Sequence, residues 1–409
     1  MQKLTLLCLF PLFAFAGNLP ELLSLAEANK HVEASRYELE AAKEKEYATK
    51  SGYLPSLSFG ANQTYNQEES MLYPEKSRTG SAIVSFTIYD GGKREALFDQ
   101  QQALVKSATF SLASVQNNTS LNVIYYYYNY ISTLASKEAT LQKMEQLEAE
   151  RYRLEKFLSV GSATADELQK IISTIEQTKV DLLTLDNTLN NISNTLEYMT
   201  GKEVRVEPGS TIAFQESKVN DATRFDILAL EQSVQSAKAE AEAAKSPHLP
   251  TIKIEDTYSR FKYDYANPAW ETDADHQNTV QLSMQWKIFD FGSTSASYQA
   301  AQKMYLSKNS DLAYEKDKAR ASFKSAQNSY TTALAKIEAA KARLSASEMT
   351  YELVKKKFQQ GIVNNVTYLD ALSDKFNARS QLQTALNEVE YQKAVLLYEM
   401  GKEIKGAIQ

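Results

Sequence analysis

The sequence predicts a mixed α and β chain: long helical hairpins, duplicated in tandem, carrying four short strands of membrane-spanning length. Three observations lead there. Prolines fall only at 11, 20, 55, 74, 208, 247, 250 and 268, leaving residues 75–207 and 269–409 free of the strongest helix breaker. In both stretches apolar residues return every seventh position, Leu168, Ile175, Leu182, Leu189 and Leu196 in the first and Tyr330, Ile337, Leu344, Tyr351 and Phe358 in the second. A sustained period of seven means coiled-coil-like packing. Finally, a shift of 200 residues lays Ile88 on Ile288, Asp90 on Asp290, Gly92 on Gly292, Lys156 on Lys356 and Gly161 on Gly361, and Leu196, Tyr198 and Gly201 on Leu396, Tyr398 and Gly401. The chain is an internal repeat.

In chain order, residues 1–16 form a secretory leader, with Lys3, an apolar run over 4–13 and Ala14-Phe15-Ala16 as the cleavage pattern. The apolar run is too short to cross a bilayer, and no later stretch reaches the length a transmembrane helix needs. The only cysteine, Cys8, lies inside this leader, so a disulfide framework and cysteine-based metal or redox chemistry are excluded. The expected divisions are the leader at 1–16, a first repeat over 17–203, an equatorial linker at 204–222 and a second repeat over 223–409.

Each repeat opens with a helix, near 20–51 and 223–245, that ends at a Leu-Pro pair, Leu54-Pro55 or Leu249-Pro250. Strands follow. Over 56–65, Leu57, Phe59, Ala61 and Tyr65 alternate with Ser56, Ser58, Gly60, Asn62 and Thr64, and Ala82, Val84, Phe86 and Ile88 alternate with mostly polar partners. In the second repeat Val280, Leu282, Met284, Trp286 and Ile288 do the same, while 251–263 is less clean because Asp256 and Arg260 share the parity of Ile252 and Ile254. Period two over about ten residues is the pattern of a strand with one face to lipid and one to water. Acidic loops at 66–78 and 264–277 join the strand pairs. Four strands cannot close a barrel, and open edges are not tolerated in hydrocarbon, so more than one chain must contribute.

After Gly92 a helix of some 67 residues, roughly 100 Å at the helical rise, continues to about Val160. The return limb over 162–201 and the helix at 223–245 together nearly equal it, so two short helices can stack against one long one. By the repeat, the limb after Gly361 would stack on the N-terminal helix in the same way.

These features together resemble the TolC-like outer membrane efflux family (outer membrane factors) across essentially the whole mature chain. The carriers are the Leu-Pro pairs, the corners Ile88-Tyr89-Asp90-Gly91-Gly92-Lys93-Arg94 and Ile288-Phe289-Asp290-Phe291-Gly292, and the tips Phe157-Leu158-Ser159-Val160-Gly161 and Phe358-Gln359-Gln360-Gly361. The resemblance implies a homotrimer in the outer membrane of a Gram-negative bacterium. Four transmembrane strands per chain would make a 12-stranded β-barrel, continued by a helical tunnel in the periplasm. It implies as partners outer membrane lipid, a periplasmic adaptor (membrane fusion) protein and an inner-membrane transporter of RND or ABC type. The function implied is the passive exit duct of a tripartite efflux or type I secretion system for drugs, metals or polypeptides. A secreted or periplasmic coiled-coil structural or adaptor protein without a channel is the alternative; it explains the heptads but not the duplicated strands.

Physical roles can be assigned along this frame. Asp90 and Asp290 can cap the helices leaving the strands, with Gly92 and Gly292 permitting the corner, and Gly161 and Gly361 can take the left-handed conformation that ends a helix. By resemblance Asp370, nine residues past Gly361, would gather into an acidic ring at the tunnel's narrow end, and acidic rings select cations. A capping carboxylate is the other reading of Asp370. Glu167 matches a second acidic gating position. Phe358 and Val363 replace the tyrosine and arginine that lock the family's best-known member, and Thr367 replaces its second aspartate, so that latch does not carry over.

No nucleophile elbow, H-E-x-x-H motif, phosphate loop or clustered ligand set appears, which argues against an enzyme, a cofactor and a bound metal. His31, His248 and His276 are scattered. The net charge of -6, or -7 once Lys3 leaves with the leader, has no basic stripe to suggest nucleic acid. The run Tyr125 to Tyr128 with Tyr130 points in several directions on a helix and is expected to pack between helices with hydroxyls reaching the lumen.

Overall fold

The computed structural model describes residues 15–214, 223–270 and 274–409. The leader therefore lies outside the described residues except for its last two, and so do positions 215–222 of the linker. Among the described residues seven α-helices and six strands run in the order β1 (Phe15–Gly17), α1 (Leu19–Ala26), α2 (Lys30–Ser51), β2 (Ser56–Tyr65), β3 (Lys76–Tyr89), α3 (Lys93–Ser159), α4 (Ala165–Thr200), β4 (Val204–Val206), α5 (Phe225–Ala243), β5 (Thr251–Asp264), β6 (His276–Gln285), α6 (Ser293–Gln359) and α7 (Asn365–Glu399). The duplication is plain in the lengths: α3 and α6 are both 67 residues, and α4 and α7 are 36 and 35.

Several boundaries differ from the sequence expectation. The N-terminal helix breaks after Ala26, where the Asn29 side chain donates from Nδ2 to the Met199 carbonyl (2.6 Å) and accepts at Oδ1 from the His31 backbone N–H (2.9 Å). β3 begins at Lys76, inside the expected loop, because the sheet register continues to Lys76 opposite Tyr65 and Asp264. β6 stops at Gln285, short of Trp286 and Ile288; the Trp286 indole instead donates to the His248 carbonyl at 3.1 Å.

The chain divides into two compact units. One comprises Met1–Ser35, Leu112–Phe225 and Asp317–Gln409, the other Arg36–Ser111 and Asp226–Lys316. In the first unit, a core joins Leu19, Leu22 and Leu23 of α1 to Val123, Ile124 and Tyr127 of α3, Leu196 of α4, Val204 and Val206 of β4 and Leu397 of α7. β1 pairs in parallel with β4, and Ile212 bridges to Ile408, so the linker is held by backbone ladders. The tyrosine run helps to hold it. Tyr127 and Tyr128 are buried, and their hydroxyls donate to the carbonyls of Glu207 (2.8 Å) and Ser210 (3.1 Å). Burial pushes the Tyr128 phenol well above its usual range. These hydroxyls therefore satisfy linker backbone groups instead of reaching a lumen; Tyr125, by contrast, is exposed and packs edge-on against Tyr391.

The second unit contains one antiparallel sheet ordered β2-β3-β5-β6. Its register sorts most side chains by face, with Ile83, Phe261 and Tyr263 the large apolar residues on the otherwise polar one. One face carries Leu57 opposite Val84, Phe59 opposite Ala82, Phe86 opposite Ile254, and Ile252 and Ile254 opposite Met284 and Leu282. The other carries Ser56, Ser58, Asn62 and Thr64 of β2, Ser81 and Ser85 of β3, Lys253, Glu255 and Thr257 of β5, and Thr279, Gln281 and Ser283 of β6. Asp256 does sit on the apolar face, and Asn278, with its amide turned to satisfy both groups, donates to the Asp256 carboxylate at 2.8 Å. Every residue of the edge strands β2 and β6 is exposed, including Phe59 at 79% and Leu282 at 68%. Among the described residues no helix is long and apolar enough to cross a membrane.

Candidate functional site at the hairpin tips and corners

Both hairpin tips are made alike. Gly161 and Gly361 have φ of 74° and 73°, in the left-handed region. Around them Ser162 N donates to Phe157 O (2.8 Å) and Ile362 N to Lys357 O (2.9 Å), closing the carbonyls that a helix end leaves open. The next helices start with different caps. In the first repeat the Glu167 carboxylate accepts from the Thr164 backbone N–H at 3.1 Å, the reciprocal half of a capping box. In the second, Asn364 Oδ1 accepts from Thr367 N and Oγ1 at 2.9 and 2.8 Å. Glu167 is thus committed to its own helix start. Asp370 is not a cap, since Asn364 holds that place, and it lies exposed on α7. Asp374, also exposed, follows one turn later on the same stripe, an acidic neighbour the sequence reading did not single out. The residue at the Asp370 position of the first repeat is Lys170.

Behind the tips, a cluster that sequence reasoning missed joins the two hairpins. Glu150 is buried at 9% exposure, and its Oε1 accepts from Arg153 Nε and Nη2 at 3.0 and 2.8 Å. Burial raises the Glu150 carboxyl, with Arg153 opposing the shift. The same guanidinium stands over Phe157 of α3 and Phe358 of α6, 5.4 and 4.9 Å from the ring centres. Phe358 in turn stacks on Tyr368 at 4.7 Å and 12°. Tyr351, fully buried, donates to Gln146 Oε1 at 2.6 Å, and the Asn365 amide donates to the Glu167 carbonyl at 3.1 Å. Beneath lie Leu147, Leu154, Ile171, Leu369, Leu372 and Phe376. The local signal was E-x-x-R with phenylalanine four residues on, but the partners on α6 and α7 are some 200 residues away.

The strand-to-helix corners are alike in backbone and unlike in side chains. Gly92 and Gly292 have φ of 81° and 84°. Asp290 caps α6, accepting from the Thr294 backbone N–H at 2.9 Å and from its hydroxyl, and the hydroxyl bond foremost holds the carboxyl below the ordinary range. At the equivalent place Arg94 replaces that threonine, and the capping expected of Asp90 is not seen. Arg94 donates to the Thr87 carbonyl and lies 4.9 Å over the Tyr53 ring. Tyr53 lies near Asp90, and its phenol is raised by burial foremost and by that carboxylate. Gly91 and Phe291 differ as well: a Cβ on Gly91 would stand 2.7 Å from the Ser246 carbonyl oxygen, whereas Phe291 holds φ 54° with its ring 93% exposed.

The chain is similar to known proteins in sequence and in fold. The family described as outer membrane efflux protein matches residues 22–202 and 221–400. The chain is 24% identical over 403 residues to outer membrane protein TolC of Escherichia coli (strain K12), covering 90% of this chain and 79% of TolC. It is 21% identical over 385 residues to proteases secretion protein PrtF of Dickeya chrysanthemi, covering 88% and 81%. Among solved structures it superposes on CusC with a TM-score of 0.83 at 17% identity over 95% of this chain and 94% of that one. It superposes on the CmeC outer membrane channel of Campylobacter jejuni with a TM-score of 0.81 at 13% identity, over 94% and 85%.

Proposed function

We propose, since this chain belongs to the outer membrane efflux protein family, that three copies close one 12-stranded barrel and serve as the exit duct of a tripartite efflux or type I secretion system. The observation that carries the reading is the sheet itself. It has a mainly apolar face, a mainly polar face and two edges, β2 and β6, that no strand pairs among the described residues. Unpaired backbone groups cannot stand in hydrocarbon, so neighbouring copies must pair them. The apolar face then meets lipid, the polar face lines water, and the helical part stands in the periplasm. A coiled-coil protein without a channel would leave Phe59, Leu282 and Met284 exposed for no purpose.

An adaptor in the periplasm and an inner-membrane transporter of RND or ABC type complete the pathway; the transporter chooses the cargo, and the duct supplies passage and a gate. The gate lies at the tips. Three Asp370 side chains, with Asp374 a turn away, form the acidic constriction, and the Arg153 cluster holds the hairpins together behind it. The test is fractionation followed by gel electrophoresis with and without boiling. The protein should be found in the outer membrane and should run as a heat-modifiable trimer. Recovery as a soluble monomer would overturn the reading.

A further inference from the structure

The apolar face of the sheet does not stay apolar to its loop end. From Ile252 to Tyr258 the face is Ile252, Ile254, Phe86, Val84, Leu57, Leu282 and Phe59, broken only by the paired Asp256 and Asn278. That advance is about 20 Å at ~3.4 Å per residue, most of the roughly 25 Å apolar band of a membrane barrel. Beyond the aromatic rings of Phe59 and Tyr258, the same face turns basic. Arg260 lies opposite Gly80, Lys262 opposite Arg78, and Lys76 opposite Tyr65.

The sequence makes a recess there. Ala61 and Gly80 supply a low floor, and a Cβ on Gly80 would meet nothing within 4 Å. Arg78, Arg260, Lys262 and Gln63 border this open depression of about 810 Å³, with Asp275 also lining it. The cations are weakly engaged. Arg78 reaches Asp264 at 3.3 Å and Arg260 reaches Asp275 at 3.6 Å, both between exposed side chains, and such pairs are worth little. Lys76 stands over the Tyr65 ring, and among the described residues no carboxylate pairs with Lys262. The loop end lies away from the helices, so these groups sit at the outer leaflet, level with its headgroups.

We propose that Arg78, Arg260 and Lys262 form a binding site for the phosphate groups of a phosphorylated outer-leaflet glycolipid, whose acyl chains lie along the apolar band below. Guanidinium forks suit phosphate oxygens, and a lipid brings the anion already held at this depth. The face is thereby matched end to end, apolar rows against chains and cations against headgroup. This inference rests on the membrane orientation given above.

Full-length protein purified from outer membranes in detergent is titrated with bisphosphorylated lipid A, dephosphorylated lipid A and inorganic phosphate, with binding read by native mass spectrometry. The phosphorylated lipid should bind at least about tenfold more tightly than its dephosphorylated form, as expected for the loss of charge-assisted hydrogen bonds, and inorganic phosphate should not compete at equal concentration. The variant combining Arg78→Gln, Arg260→Gln and Lys262→Gln should lose that preference while still running as a heat-modifiable oligomer. Equal binding of the two lipids, full competition by free phosphate, or an unchanged preference in the variant would overturn the site. The wild-type comparison decides the matter even where the triple variant fails to assemble. Failure to find the protein in the outer membrane would instead sink the functional reading, before any lipid is added.

Discussion

Arg153 on α3 holds its guanidinium 4.9 Å from the ring centre of Phe358 on α6, while the same group pairs with buried Glu150. One side chain therefore couples a charge inside the first hairpin to a ring of the second. Arg153→Gln should loosen the tip and raise single-channel conductance in planar bilayers. It should cost about 3 kcal/mol in denaturant melts, because a buried carboxylate then loses its partner. Arg153→Lys should fall between the two, since it keeps the charge and loses the planar stacking. Unchanged conductance in Arg153→Gln would remove the cluster from the gate.

The pH dependence of the same cluster has a definite sign. The Glu150 carboxyl is raised in the folded chain, chiefly by burial, so its contribution to stability is complete at acid pH and is lost as pH rises through the folded value. Glu150→Gln is neutral throughout. The variant's melting temperature relative to the parent should therefore climb as pH rises out of the ordinary carboxylate range. A difference that stays flat between pH 4 and 8 would contradict the assignment.

Asp370 is exposed on α7, outside the cap and with Asp374 one turn away. If three copies gather at the constriction, Asp370→Asn should weaken cation selectivity and block by multivalent cations in planar bilayers, with trimer formation intact. Adding Asp374→Asn should deepen the loss. Selectivity indifferent to both changes would leave them as surface carboxylates.

Two glycines of the second repeat separate backbone strain from crowding. Gly361 has φ 73° with open space where a Cβ would stand, so Gly361→Ala should cost about 1 kcal/mol for the left-handed backbone alone. Gly401 has φ 64°, and there a Cβ would lie 2.3 Å from the Thr223 carbonyl oxygen. Gly401→Ala should therefore be the more damaging by several-fold in yield of assembled protein. Equal yields would mean that the chain near Thr223 can shift.

What the sequence could carry was what repeats locally. Period two located β2 to the residue, and the proline-free runs with their glycine ends located α3, because each depends on near neighbours in the chain. The Leu-Pro pairs and tip glycines were legible for the same reason. What escaped depended on distant partners. The Tyr127 and Tyr128 hydroxyls find carbonyls about 80 residues away, and Arg153 finds a ring about 200 away. Asp256 looked misplaced until the register put it beside Asn278. The Asp90 cap failed because one substitution between repeats, arginine at 94 for threonine at 294, changes who bonds whom.

The two corners also bear on how a doubled gene ages. The Asp-Gly-Gly of the first copy is crowded, with Ser246 against Gly91, so a side chain there has no room; the Asp-Phe-Gly of the second holds its ring in the open. Exchange at this corner between the two halves should therefore be one-directional. Phe291→Gly restores a permitted state and should be tolerated, with a gain from relieving the left-handed backbone set against the added freedom of the unfolded chain. Gly91→Phe should abolish assembly, so the halves, born interchangeable, have become parts that fit only one way round.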